Sequence, residues 1–181
     1  MSVHQPTHVA TTPGVGSELR AIALYALTGG VALLLQTTVL NSLTDGRAIP
    51  DLILILCVYL GLHEHSVRGA TAAFLLGYLL DSFSGSVVGL NAFAMTTVYL
   101  VVYLAARRLW MDNTLSSIAM VFLATFLKGA AILGALAAYF SIDRVSPQAA
   151  EILLAEALLA AALTPAVFAV LGWERRLAGV V

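Results

Sequence analysis

A long apolar stretch in the middle of the chain most strongly limits what this sequence can fold into. Between Arg68 and Arg107 the only formally charged residue is Asp81. Two apolar runs flank the segment 82–86, Ser-Phe-Ser-Gly-Ser, which is typical of a tight turn. Runs this long and this poor in charge favour helices that cross a lipid bilayer. The stretch therefore predicts a hairpin of two antiparallel transmembrane helices.

Asp81 lies near the end of the first helix of this hairpin. A carboxylate at such a position is costly unless it faces protein or water. One interpretation is that Asp81 only caps or anchors the turn. The other is that it makes a buried polar contact that fixes how the helices pack. The sequence leaves both interpretations open.

The composition extends this prediction to the whole chain. Of the 181 residues, 60% are hydrophobic and 10% are charged, against the roughly 25% charged residues of soluble domains. Because each membrane span needs about 20 apolar residues, the chain has room for about six spans and little else. The predicted fold is an all-α membrane protein, a compact bundle of six transmembrane helices without a soluble catalytic module. The net charge of −1 gives no indication of nucleic-acid binding.

The second apolar run has two possible structures. Pro50 and Asp51 open it, with a proline suited to a first helical turn and an acid at the positive end of the helix dipole. Its uncharged part, 52–62, is short enough for a re-entrant segment. A spanning helix requires His63, Glu64 and His65 to lie among the lipid headgroups, and we favour this interpretation.

The other runs complete the predicted domain organisation. Residues 1–18 are polar, contain two prolines, and are predicted to form a disordered cytoplasmic tail. One transmembrane domain covers 19–176, and 177–181 form a short tail. The predicted spans are about 19–43, 48–66, 69–83, 88–106, 116–140 and 149–172.

Basic residues near the span ends predict the orientation. With six spans and a cytoplasmic N-terminus, six arginines fall on the inner side and two on the outer side, in agreement with the positive-inside rule. Both termini are then cytoplasmic. The inner arginines are Arg20, Arg68, Arg107, Arg108, Arg175 and Arg176, and the outer ones are Arg47 and Arg144.

Three ionisable residues fall at a similar depth in this topology. At 1.5 Å per residue, Asp81 and Lys128 lie about 18 Å from the inner ends of their predicted spans. Glu156 lies about 10 Å from the outer end of its predicted span. A buried network with Lys128 as the cation would satisfy all three. We therefore predict that Lys128 pairs with Asp81 or Glu156. The alternative is that Lys128 snorkels to the surface, or that each group faces a separate wet crevice.

The sequence provides little for catalysis or cofactor binding. His63 and His65 are two residues apart on a helix and point to different faces, which does not make a metal site. Asp81 and Glu156 could form an aspartyl protease pair, but Lys128 at the same depth breaks that pattern. The sequence has no nucleophile elbow and no phosphate-binding glycine loop. We expect no enzyme activity, no metal and no cofactor.

Several motifs in the first half of the chain, taken in order, resemble the rod shape-determining protein MreD family. They cover about residues 49–110. The motifs consist mainly of small residues and single polar residues, and the segment ends in a pair of arginines. The residues that carry the resemblance are Pro50-Asp51-Leu52, Tyr59, Arg68-Gly69, Gly77, Leu80-Asp81, Ser84-Gly85, Gly89-Leu90-Asn91-Ala92 and Arg107-Arg108.

This resemblance implies a non-enzymatic, multi-pass subunit of the bacterial cell-elongation machinery in the inner membrane. Members are thought to bind MreC, a single-span coiled-coil protein, and through it to connect MreB with RodA and a transpeptidase. Membrane lipid and a second copy of the same chain are further candidate partners. The fold also resembles the substrate-binding subunits of energy-coupling-factor transporters. The resemblance also implies that six residues have a structural role and shape the outer half of the bundle. These residues are Pro50, Asp51, Asp81, Gly85, Gly89 and Asn91.

An alternative function is a substrate-binding membrane subunit of a vitamin-type transporter. It would need an outward-open cavity, with Gln36, Tyr78, Asp81 and Asn91 as candidate lining residues. A cell-elongation subunit would instead need an apolar, lipid-facing groove built from small residues, and the sequence does not identify the helices that form it. Small residues spaced by four, such as Gly134 and Ala138, suit contact between helices.

Overall fold

The described part of the chain forms a bundle of six α-helices. A computed structural model describes residues 15–40, 49–64, 66–85, 87–108, 113–139 and 147–177. The described residues contain no strand, which confirms the predicted all-helical fold. The helices are α1 (Val15–Leu34), which continues as a π-helix (Leu35–Leu40), α2 (Leu52–His63), α3 (Val67–Ser84), α4 (Leu90–Arg108), α5 (Thr114–Tyr139) and α6 (Pro147–Leu177).

The first helix begins earlier than the sequence suggests. Residues 1–18 were assigned to a polar tail, but α1 starts at Val15. A short polar stretch can join a helix when the apolar turns after it supply the packing. Residues 1–14 and 178–181, which hold the rest of the two predicted tails, lie outside the described residues.

Helix α2 forms the centre of the bundle and packs against all five other helices. Every residue from Ile53 to Gly61 is buried. A helix that is apolar on all sides is stable only when protein surrounds it, and this run has no polar face. At 1.5 Å per residue its 12 residues rise about 18 Å, well short of a hydrocarbon core of about 30 Å. The helix is therefore shorter than the span predicted for 48–66.

Longer helices surround α2. Three of them are long and apolar enough to cross a membrane, over Leu90–Arg108, Thr114–Ala138 and Ala150–Trp173. Their outward faces expose large apolar side chains such as Leu104, Leu123 and Leu158. A soluble protein rarely leaves so much apolar surface in contact with water. The chain is a membrane protein.

Helices α3 and α4 form the predicted hairpin and share the most extensive interface of the bundle. Gly85 ends α3 in the left-handed region, with φ of 62°, and Gly89 precedes α4 with φ of 97°. Residues other than glycine rarely adopt such values of φ. These two glycines therefore reverse the chain direction within a few residues.

Candidate functional site

The Asp81 side chain holds the start of the next helix. Its carboxylate accepts hydrogen bonds from the backbone N–H groups of Gly89 (2.9 Å), Asn91 (3.0 Å) and Ala92 (3.1 Å), and from the side-chain amide of Asn91 (2.9 Å). The first N–H groups of a helix have no partner within it and carry a partial positive charge. Asp81, only 1% exposed, supplies the acceptors from α3. It thus caps the start of α4 and joins α3 to α4 through a buried polar contact.

The close approach of α3 and α4 depends on Gly77, one turn before Asp81. A Cβ atom placed on Gly77 would lie 2.6 Å from the Ala92 Cα atom and 2.6 Å from the Asn91 carbonyl oxygen. Both contacts are with backbone atoms, which no side-chain rotation can relieve. Because Gly77 has no side chain, the N-terminus of α4 can lie close enough to α3 for its N–H groups to bind the Asp81 carboxylate.

We expect the substitution Gly77→Ala to destabilise the bundle by about 2 kcal/mol or more, because α4 must shift and the Asp81 hydrogen bonds must lengthen. Thermal unfolding in detergent measures the effect. The control is Gly134→Ala, since a Cβ there meets nothing within 4 Å. Equal melting temperatures for the two variants would contradict the close-approach role of Gly77.

A second polar cluster lies at the N-terminus of α2. The Leu54 N–H donates to Asp51 Oδ1 (3.0 Å), which makes Asp51 the N-cap, and the Leu52 N–H donates to Gln36 Oε1 (3.0 Å). The predicted position of Asp51 at the positive end of the helix dipole is confirmed. Pro50 is buried but precedes the cap and does not lie in the first helical turn. Gln36 belongs to the π-helix, a rare element that occurs frequently at functional sites.

Lys128 completes this second cluster. Its ammonium group donates to Asp51 Oδ2 in an ion pair, with side chains 18% and 12% exposed for Lys128 and Asp51. The prediction that Lys128 pairs with Asp81 or Glu156 is therefore wrong. Asp81 faces α4, and Glu156 lies on α6 close enough to interact electrostatically with both Lys128 and Asp51 without contacting either.

The pair fixes the depth at which α2 begins. Lys128 lies about 21 Å along α5 from Thr114 and about 17 Å from Tyr139. The N-terminus of α2 is therefore level with the middle of α5. In a membrane interior no water reaches such a helix end, so protein groups must satisfy it. Asp51 and Gln36 do so, and Lys128 neutralises the carboxylate.

The opposite end of α2 is held by two tyrosines. Tyr25 of α1 donates to the Glu64 side chain (3.1 Å), and Tyr99 of α4 points its hydroxyl at the carbonyl oxygens of Glu64 (2.7 Å) and Ser66 (3.1 Å). Both rings are buried. Neither tyrosine was predicted from the sequence, because nothing in their spacing identifies the oxygen atoms to which they donate.

The residues proposed to line a transporter cavity do not form one group. Asp81 and Asn91 belong to the α4 cap, and Gln36 belongs to the α2 N-terminus. Tyr78 is 47% exposed on α3. These residues are thus divided between two clusters and a helix surface.

A groove of about 830 Å³ lies between the N-terminal part of α4 and the C-terminal half of α5. Four of the six residues of its α5 wall are small, the other two are Leu127 and Leu136, and Phe93, which is half exposed, lies on the α4 side. Helices in membranes use small residues for close contact with other helices. The small residues of the wall are Ala131, Gly134, Ala135 and Ala138.

A comparison with protein families decides the relationship. The family model described as rod shape-determining protein MreD matches residues 20–172. The chain belongs to the MreD family. No curated protein and no solved structure matches it. As a member of the MreD family, the chain takes part in rod-shape determination together with the cell-shape machinery. The family is one of structural membrane proteins and is not known for enzymes.

Within this MreD family member, both polar clusters consist of groups that satisfy one another. The Asp81 carboxylate accepts the four hydrogen bonds described above, and Asp51 binds a helix N–H and the Lys128 ammonium. Such groups can position helices, since each one links two elements of the bundle. Each cluster fixes one helix N-terminus against a neighbouring helix.

Proposed function

We propose that the chain is a non-enzymatic, multi-pass scaffold of the bacterial inner membrane that binds MreC. Through MreC it would link the MreB cytoskeleton to peptidoglycan synthesis by RodA and a transpeptidase. Membership of a shape-determining family supports this proposal. We further propose that the two polar clusters, with Pro50, Gly85 and Gly89, hold the shape of the surface that MreC contacts.

The groove between α4 and α5 is the observation that carries the proposal. Helix-interior glycine is normally unfavourable unless something needs the space. A Cβ on Gly77 or Gly129 would meet a neighbouring helix, but a Cβ on Gly134 would meet nothing within 4 Å. The space beside Gly134 is therefore unused by the described part of the chain. It is available to a helix from another protein.

The size of the groove suits one transmembrane helix. The α5 wall from Leu127 to Ala138 is about 17 Å long. That length corresponds to about three turns of a partner helix lying along α5. We assign the groove to the single membrane span of MreC.

Filling the groove should prevent this docking. We expect the substitution Gly134→Leu to abolish co-purification of MreC in mild detergent, because the new side chain occupies the position of the partner's backbone. The control is Gly172→Leu on α6, where a Cβ also meets nothing within 4 Å and which does not line the groove. The amount of MreC recovered per scaffold molecule measures the effect.

Each result has a clear meaning. Loss of MreC in the Gly134 variant alone supports docking in the groove. Normal recovery of MreC in both variants would remove the groove from the proposal, and recovery of no MreC with the parent protein would overturn the proposed function. An ATPase module or a vitamin-sized ligand recovered in its place would instead favour the transporter subunit.

A further inference from the structure

We infer that the C-terminal end of α4 carries a binding site for one anionic phospholipid. The site consists of an apolar strip on α4 that leads to two adjacent arginines. This inference is independent of the proposed function, because the site lies at the opposite end of α4 from the groove. Its residues are Val101, Leu104, Ala105, Arg107 and Arg108, which line a depression of about 710 Å³.

The spacing of these residues produces an amphipathic surface. Val101, Leu104, Ala105 and Arg108 follow the i, i+3, i+4, i+7 pattern and therefore lie on one face of the helix. Val101 is 43% exposed and Leu104 is 58% exposed. An acyl chain can lie along this strip while its headgroup reaches the arginines at the end of the span. No other helix of the described chain lines the depression.

The two guanidinium groups are available for an anion. Within the described residues neither Arg107 nor Arg108 forms an ion pair, and both side chains are exposed. Arginine binds phosphate oxygens through two parallel N–H donors. Basic sites beside transmembrane helices are known to take anionic lipid headgroups. Charge complementarity thus favours a lipid with a net negative headgroup over a neutral one.

Arg107 is also held in place before any lipid binds. Its guanidinium lies 5.7 Å from the centre of the Tyr103 ring and 3.4 Å from the Tyr103 hydroxyl. Tyr103 stacks on Tyr99 at 6.2 Å, and Tyr99 is anchored to backbone carbonyls at the start of α3. A side chain ordered in this way loses less conformational entropy on binding. This row of aromatic rings distinguishes the site from a pair of mobile surface arginines.

Native mass spectrometry of the purified protein tests the inference. Phosphatidylglycerol and phosphatidylcholine with identical acyl chains are added at equal concentration, and the lipid retained by each protein molecule is counted. We expect the parent protein to prefer phosphatidylglycerol. The double variant R107Q/R108Q should bind it about 25-fold more weakly, at about 5-fold for each arginine near a membrane surface.

The control is Arg20→Gln, which removes one positive charge near the start of α1, a helix that does not line the depression. It should retain phosphatidylglycerol as the parent does. Equal retention of the two lipids by the parent would overturn the inference without any variant, and so would an undiminished preference in R107Q/R108Q. Displacement of the lipid by millimolar inorganic phosphate would show a phosphate site that does not need the apolar strip, and would also overturn it.

Discussion

Replacing Asp81 with alanine is expected to remove most of the folded protein from the membrane. The change leaves three backbone N–H groups and one side-chain amide without their acceptor in a site that is only 1% exposed. Each buried donor left unsatisfied costs about 1–3 kcal/mol, so the total is about 4 kcal/mol or more. We expect a fall of about 10 °C or more in the melting temperature of whatever protein is recovered.

Two further substitutions test whether the lost hydrogen-bond acceptors of Asp81 cause this fall in melting temperature. Ser82→Ala changes the neighbouring, exposed residue, whose hydroxyl donates only to the Tyr78 carbonyl, and should leave the melting temperature nearly unchanged. Asp81→Asn keeps the size of the side chain but turns an NH₂ group toward backbone N–H donors, and should therefore remain clearly destabilised. A fully stable Asp81→Asn protein would mean that the acceptors of Asp81 are not what holds α4.

The hairpin was predictable because its causes are local. Asp81, Gly85, Gly89 and Asn91 lie within eleven residues, so any turn that reverses the chain there brings the carboxylate close to the next helix start. Apolar runs on both sides fix the direction of the two helices. The role of Gly77 and the hydrogen-bond partners of Asp81 needed the structure, since a sequence does not show which atoms a glycine or a carboxylate faces.

The partner of Lys128 was not predictable in the same way. The sequence gives the depth of a residue in a span but not the direction in which its side chain points around the bundle. Asp51 was assigned to the end of a full-length span, at the membrane surface. In the structure α2 begins at Leu52, and its N-terminus is level with Lys128. Because this short run is apolar on all sides, the helix is stable at the centre of the bundle, where protein surrounds it.

The second large loss of stability is expected for Lys128→Met. Removing one partner of a buried ion pair costs about 3–5 kcal/mol, and the partial exposure of this pair reduces the expected cost to about 2–3 kcal/mol. The variant leaves the Asp51 and Glu156 side chains near each other without the ammonium group of Lys128. Thermal unfolding in detergent and abundance in the membrane measure the loss. A Lys128→Met protein as abundant and as stable as the parent would contradict the pairing.

Double-mutant cycles identify the carboxylate with which Lys128 interacts. Asp51→Asn keeps an oxygen for the Leu54 N–H, because asparagine is also a good N-cap, so it removes the charge without removing the cap. With Lys128→Met present, Asp51→Asn should restore part of the stability, which gives a coupling of about 2 kcal/mol. The matched cycle with Glu156→Gln should give less than about 1 kcal/mol, since Glu156 does not contact the ammonium group. A larger coupling to Glu156 than to Asp51 would mean that Lys128 stabilises α6 and not the start of α2.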